Sequence, residues 1–215
     1  MKKIIYFILI ISLLFCVSCK SKHNKTLPPK EIYLTFDDGP CNNTLKILEV
    51  LEKYDIKATF FVVGTMVEKH PDILKKTYEL GHSVGLHSYS HIYKKIYSTN
   101  QELQQDVLSC YNAVKKVIPD FSGAIYRFPG GSFNLTNNTK QAVLDLGFTY
   151  YDWNASTMDS EGKFTPYELY KNAVNTSLNK NKIILLAHDT KPNVTLALED
   201  IIKHFLNGGY TFKKL

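Results

Sequence analysis

The chain has 215 residues, 44% of them hydrophobic, and a formal net charge of +6. This is enough apolar material for one globular domain with a full core, and we find no internal repeat or low-complexity tract. The positive charges form no basic stripe interleaved with aromatic residues, so we expect no nucleic-acid partner. Of the four cysteines, only Cys41 and Cys110 lie beyond the N-terminal segment, which is too few for a disulfide framework.

The first 19 residues have the pattern of an export signal. Lys2 and Lys3 precede the apolar run Ile4–Val17, which is short for a membrane-spanning helix. The alternative is a retained N-terminal membrane anchor. Cys19 occupies the position of the acylated cysteine in bacterial lipoprotein signals, although Cys16 stands where such signals usually have leucine. We therefore expect an extracytoplasmic protein, either secreted to the cell envelope or tethered to a membrane by lipid on Cys19.

Residues 20–30 are polar and rich in lysine, and Pro28-Pro29 closes this predicted tether. From residue 31 to residue 215 the sequence indicates one folded domain. Short apolar runs with strand character occur in this order: Ile32–Phe36, Ala58–Val63, Ser83–Leu86, Ala124–Phe128, Phe148–Trp153, Ile183–Ala187 and Tyr210–Phe212. Helical spacing fills the intervals, over Thr44–Tyr54, Met66–Leu80, Gln101–Val117, Thr139–Leu146, Pro166–Leu178 and Val194–Leu206.

This alternation of strands and helices predicts the α/β class, with a parallel sheet and crossover helices. Rolled up, the elements form a distorted (β/α)7-type barrel in a single domain. The carboxyl ends of barrel strands carry the loops that build active sites. Unusual polar residues follow these strands or, in the case of Arg127, close one: Asp37, Asp38, His87, His91, Arg127, Asp159 and His188. The predicted fold therefore brings residues from distant parts of the chain together on one rim.

His87 and His91 are four residues apart, so one helical turn would point both imidazoles the same way, as two ligands of one metal require. Alone, the pair could equally be surface histidines. Adjacent carboxylates at Asp37 and Asp38 favour a metal, because they repel each other unless a cation or a proton is shared. One can complete a His-His-carboxylate site while the other acts as a base. The alternative for these carboxylates is a plain turn ahead of Gly39-Pro40.

Arg127 is the only arginine in the chain, and lysine cannot supply its rigid fork for orienting a carboxylate. The alternative role is a salt bridge that only stabilises the fold. The glycines that follow, Gly130 and Gly131, leave bare backbone that can approach an oxyanion. His188 ends an apolar strand, where it can be a general acid or a rim residue without a role in the reaction. Asp159 is its candidate partner.

Four segments resemble the successive motifs of the polysaccharide deacetylases, carbohydrate esterase family 4. They occur in the family's order and span the domain: Thr35–Pro40, His87–His91, Arg127–Gly131 and Leu186–His188. The resemblance implies a distorted barrel of about seven βα units, with residues 31–215 as a polysaccharide deacetylase catalytic domain. It also implies a divalent metal, usually zinc, with cobalt or nickel as substitutes.

Carried over by position, the resemblance assigns a role to each motif residue. Asp38, His87 and His91 would be the metal ligands. Asp37 would be the general base, Arg127 would orient it, and His188 would be the general acid, tuned by Asp159. The Gly130 N–H would stabilise the oxyanion, and Leu186 would line the acetyl pocket.

The fourth motif departs from the family, which often has Asp-x-x-Asp-Trp where this chain has Ser156–Ser160. Asp159 matches the second aspartate, and Ser160 replaces the tryptophan. The departure puts substrate preference and rate in doubt more than the chemistry.

The sequence thus predicts a monomeric, metal-dependent hydrolase that removes N-acetyl groups from an N-acetylhexosamine polymer, above all peptidoglycan. Its expected partners are the acetylated glycan and, through the signal or a lipid, a membrane. Two alternatives remain: a polysaccharide O-acetyl esterase and a glycan-binding module with impaired catalysis.

Overall fold

Strand β1 (Glu31–Asp37) is an interior strand of the sheet in the computed structural model, which describes residues 28–215. The other strands are β2 (Thr59–Val63), β3 (Ser83–Ser88), β4 (Ile125–Tyr126), β5 (Thr149–Tyr150), β6 (Ala155–Ser156), β7 (Lys182–His188) and β8 (Thr211–Lys213). Seven of them follow the order β5-β4-β3-β2-β1-β7-β6 with parallel neighbours throughout, and β8 pairs in parallel with the start of β1. The predicted (β/α)7-type barrel in one domain is confirmed.

Within residues 28–215, eight helices connect and cover these strands: α1 (Asn42–Lys53), α2 (Gly64–Lys69), α3 (Pro71–Glu79), α4 (Tyr93–Ile96), α5 (Asn100–Val117), α6 (Asn137–Leu144), α7 (Pro166–Thr176) and α8 (Pro192–Asn207). All five residues of β2 are buried, as expected for a parallel strand covered on both faces. Helix α8 buries a stripe of residues with helical spacing, Val194, Ala197, Leu198, Ile201, Ile202 and Phe205. Truncating a buried aromatic such as Phe205 to alanine costs about 3–5 kcal/mol.

The boundaries depart from the sequence prediction in three places. The helix predicted over Met66–Leu80 is two helices that meet at His70, because Pro71 lacks an N–H and disfavours helical dihedrals in the residue before it. Of the fifth predicted strand, Phe148–Trp153, only the two residues of β5 form a strand. The chain then forms the separate short strand β6. Helix α4 was not predicted.

The predicted export signal (1–19), Cys19 and residues 20–27 of the predicted tether lie outside the described residues. Within residues 28–215, no helix combines the length and apolar character needed to cross a membrane. Cys41 and Cys110 are both free thiols.

Candidate active site

The polar residues predicted to meet at the rim are brought there by the sheet register. Asp37 and His188, the last residues of β1 and β7, are direct partners in the parallel ladder. Two residues earlier, Thr35 is paired with Leu186, so these four side chains share one face of two adjacent strands. Asp37 and Leu186 are 2% and 5% exposed. This face of the sheet is therefore buried, with a carboxylate and an imidazole at the carboxyl ends of its two strands.

Asp38, His87 and His91 form a cluster in which one donor atom from each lies within 4.8 Å of the others. The Asp38 Oδ1 atom lies 3.5 Å from His87 Nε2 and 3.3 Å from His91 Nε2. This oxygen is buried and has no hydrogen-bond partner within the described residues. A buried carboxylate oxygen that faces two imidazole nitrogens and lacks a donor is suited to a cation.

The protonation of His87 also fits metal binding. Burial lowers the pKa of His87 to about 3, against the attraction of Asp38, so the ring is neutral near pH 7. Its Nδ1 atom lies 2.8 Å from the Arg127 carbonyl oxygen, which can only accept a hydrogen bond. The proton is therefore on Nδ1, and the lone pair of Nε2 faces the cluster.

Two of the three clustered residues have left-handed backbone conformations, with φ of 80° at Asp38 and 53° at His91. Side chains other than glycine rarely adopt this region, at a cost of about 1–3 kcal/mol each. Surrounding contacts therefore hold both residues in place. Residues in this strained state often occur at functional sites.

Arg127 is fully buried and holds Asp37. Its Nη1 atom donates to Asp37 Oδ1 at 2.9 Å and to Thr35 Oγ1 at 2.7 Å, and its Nε atom donates to the Tyr151 carbonyl at 2.9 Å. Burial raises the pKa of the Asp37 carboxyl despite the opposing charges of Arg127 and His188. A raised pKa makes Asp37 a stronger base, and the guanidinium fixes its orientation.

His188 and Asp159 form the second acid–base pair. Asp159 accepts from the His188 backbone N–H at 2.8 Å through Oδ2, and its Oδ1 atom lies 2.9 Å from His188 Nδ1. Burial alone would lower the pKa of His188, but the hydrogen bond and charge of Asp159, with smaller effects of Asp37 and Asp38, raise it to about 9. The imidazolium is therefore present at neutral pH and can donate a proton.

Gly130 lies in the loop after β4 with φ of 79°, a conformation that favours glycine. Within residues 28–215 its N–H has no intramolecular acceptor, and the residue is exposed. A Cβ atom here would lie 3.1 Å from the Tyr93 ring. The loop therefore presents a free N–H in a position that a side chain would crowd.

Several contributors were missed at the level of sequence. Thr35 and Thr157 bind Arg127 and Asp159 through their hydroxyl groups. Asp189, directly after His188, is 1% exposed, and burial raises its pKa to about 7. A carboxylate next to a predicted catalytic histidine is a usable sequence signal for Asp189. Thr35 lies within β1 and Thr157 directly follows β6, and a threonine at such positions predicts nothing about the site by its type alone.

In the fourth motif, Asp159 is buried as described, whereas Ser160 is exposed. Trp153 lies earlier in the same region, with its ring centroid 5.8 Å from the Arg127 guanidinium carbon and packed edge-on against Phe133. The only tryptophan of the chain is thus a neighbour of the site.

Comparison with known proteins gives matches in both sequence and fold. The model of the polysaccharide deacetylase family matches residues 24–151. The chain is 32% identical over 210 residues to a peptidoglycan-N-acetylglucosamine deacetylase of Bacillus cereus, covering 90% of this chain and 75% of that protein. It is 31% identical over 195 residues to a peptidoglycan-N-acetylmuramic acid deacetylase of Bacillus subtilis, covering 86% and 70%.

Among solved structures, the fold is similar to the catalytic domain of a peptidoglycan N-acetylglucosamine deacetylase from Eubacterium rectale. The TM-score is 0.81 at 35% identity, over 87% of this chain and 89% of that one. Both the sequence and the fold are therefore shared along most of the described residues.

Proposed function

The chain belongs to the polysaccharide deacetylase family, and we propose that it removes N-acetyl groups from the N-acetylhexosamine units of peptidoglycan. The observation that carries the proposal is the pairing of Asp37 with His188 in register beside the Asp38–His87–His91 cluster. A base, an acid and a metal donor set on one rim are the groups that amide hydrolysis needs. The similar proteins named for peptidoglycan direct the choice of polymer.

Asp38, His87 and His91 would hold a divalent cation, which we propose to be zinc because two imidazoles and a carboxylate are a common zinc ligand set. Cobalt or nickel can occupy the same donors. When bound, the cation supplies positive charge that favours ionisation of water and polarises the acetyl carbonyl.

The remaining steps belong to side chains of this chain. Asp37, oriented by Arg127, accepts the proton of the attacking water as the new C–O bond forms. The Gly130 N–H donates to the carbonyl oxygen as negative charge develops on it, and Leu186 contacts the acetyl methyl group. His188 then donates its proton to the sugar nitrogen as the C–N bond breaks. Acetate and a free amino sugar result.

Residues 1–19 are proposed to act as an export signal, with Cys19 as a lipid acceptor and 20–30 as a tether to the domain at 31–215. This places the enzyme outside the cytoplasm, where peptidoglycan is. Incorporation of radiolabelled palmitate into the parent chain but not into Cys19→Ser is the expected result. Label retained in the variant would contradict lipidation at Cys19.

The function is tested by acetate release from N-acetylglucosamine oligomers and purified peptidoglycan. Protein beginning at Lys20 is stripped of metal and resupplied with zinc or cobalt. Metal-dependent acetate from either substrate is expected, and the metal-loaded Asp37→Asn variant is the matched control.

Other outcomes identify the alternatives. Acetate only from O-acetylated polysaccharide would make the protein an esterase. Because Ser160 replaces the tryptophan of the fourth motif, the glycan-binding module stays an alternative. Trp153 is the single tryptophan, so its fluorescence can report glycan binding. If glycan changes the Trp153 fluorescence but no substrate releases acetate, the protein is a glycan-binding module and not a deacetylase.

A further inference from the structure

Asp106, in the middle of α5, is 5% exposed and reaches the segment between the two clustered histidines. Its carboxylate accepts four hydrogen bonds from three consecutive residues. Oδ2 accepts from the Ser88 hydroxyl at 2.6 Å and the Tyr89 N–H at 2.7 Å. Oδ1 accepts from the Ser90 hydroxyl at 2.8 Å and the Ser90 N–H at 3.1 Å. One side chain thus binds every residue that separates His87 from His91.

The contact continues to His91 itself. The Ser88 hydroxyl, which donates to Asp106, also accepts from the His91 backbone N–H at 2.9 Å. His91 is the residue with φ of 53°, a conformation that must be stabilised by its surroundings. Asp106 therefore lies at the base of a hydrogen-bonded chain that fixes the strained residue.

The buried carboxylate of Asp106 is stabilised by hydrogen bonds. Within the described residues it takes part in no ion pair. Four donors of the loop stabilise the buried carboxylate, and the carboxylate in turn aligns all four. An amide of the same shape offers one acceptor oxygen and would turn its NH2 group toward two of these donors, leaving buried groups unpaired.

We infer that Asp106 is a positioning residue that sets the two imidazoles in the geometry of a divalent cation site before the cation binds. The inference rests on the metal ligands named in the proposed function. Outer partners of this kind typically change metal affinity by about 10- to 100-fold. The competing view is that Asp106 only anchors α5 to the loop, which would affect stability but not affinity.

Metal affinity separates these two views without any substrate. Zinc is titrated into metal-free full-length protein in competition with a chromogenic chelator, and the cobalt-loaded protein is examined by visible absorption. Asp106→Asn is expected to raise the zinc dissociation constant by about 10- to 100-fold and to alter the cobalt spectrum. Glu102→Gln, the same chemical change at an exposed position of α5, should leave both unchanged.

Ser90→Ala covers the case in which Asp106→Asn does not fold. It removes one of the four hydrogen bonds, and a several-fold rise in the zinc dissociation constant is expected. Parent-like affinity in folded Asp106→Asn, or in Ser90→Ala if that is the only folded variant, would overturn the inference. So would a parent chain that binds no zinc. If these variants bind zinc more weakly than the parent, but the zinc-loaded parent releases no acetate, the positioning role is retained and the deacetylase is rejected.

Discussion

The Nη1 atom of Arg127 lies 2.9 Å from Oδ1 of Asp37, and both side chains are closed to solvent. Isolated charges in such a place would be strongly destabilising, so each residue depends on the other. The same guanidinium binds Thr35 and the Tyr151 carbonyl, which fixes its plane. The orientation of Asp37 is therefore set by Arg127, which is itself held by Thr35 in β1 and by Tyr151 directly after β5.

Asp37→Asn removes the proposed base and nearly preserves the shape of the side chain. We expect turnover to fall by about 100-fold or more, because general base catalysis contributes about 10²–10⁴ in rate. Zinc content should stay at the parent level, since Asp38, His87 and His91 are unchanged. Acetate release and metal analysis check both parts. Near-parental turnover would remove Asp37 from the base role.

Arg127→Lys keeps the charge but loses the fork. A single ammonium cannot satisfy Asp37, Thr35 and the Tyr151 carbonyl with the same geometry. We expect turnover to fall at least about 10-fold and the free energy of unfolding to fall by about 1–3 kcal/mol, the cost of leaving a buried hydrogen-bonding group without its partner. Chemical denaturation and acetate assays measure the two effects. A rate within a few-fold of the parent would contradict the orienting role.

Asp159→Asn should move the alkaline limb of the rate profile. His188 must be protonated to donate, and its pKa of about 9 depends on Asp159. Without that charge, burial lowers the pKa, so the loss of kcat at high pH should begin at least about one unit lower. Asp200→Asn, exposed on α8, is the control. Superimposable profiles for parent and Asp159→Asn would argue against His188 as the acid.

The same pair contributes to stability with a defined sign. The pKa of His188 is raised above its ordinary value of 6.5, so the contribution is complete below about pH 6.5 and is lost as pH rises through about 9. Asp159→Asn should therefore be more destabilising at pH 6 than at pH 10.

Burial of Asp189 makes the stability depend on pH in a lower range, because it raises the pKa of this carboxyl from 3.8 to about 7. The folded chain keeps this proton to higher pH than the unfolded chain. The free energy of unfolding therefore falls between about pH 4 and pH 7, by up to about 4 kcal/mol. An asparagine side chain cannot ionise, so Asp189→Asn in metal-free protein should gain stability relative to the parent as pH rises from about 4 to about 8.

Thermal denaturation at both pH values measures this change, with Asp120→Asn at an exposed position as the control. A constant difference between Asp189→Asn and the parent would show that Asp189 is ionised in the folded chain throughout.

Much of this arrangement could be predicted because it depends on local patterns of apolar and polar residues along the chain. Apolar runs identified β1, β3 and β7, and the polar residues that follow them are the ones that meet at the rim. The break at His70-Pro71 was not predicted, although the effect of proline on the residue before it is a sequence signal for such a break. By contrast, β6 has only two residues and no periodic signal. Asp106 resembles an ordinary solvated helix residue until tertiary packing brings the Ser88–Ser90 segment to it.

The ladder between β1 and β7 has a practical consequence for protein engineering. Seven consecutive pairs join Glu31–Asp37 to Lys182–His188, and Asp37 and His188 form the last of them. A slip of one residue would turn one of these side chains to the opposite face of the sheet. The distance between the proposed proton acceptor, Asp37, and the proposed proton donor, His188, is thus set by backbone hydrogen bonds. Rim loops that do not carry Arg127, Tyr151 or Asp159 can therefore be exchanged with those of relatives without changing the spacing of Asp37 and His188.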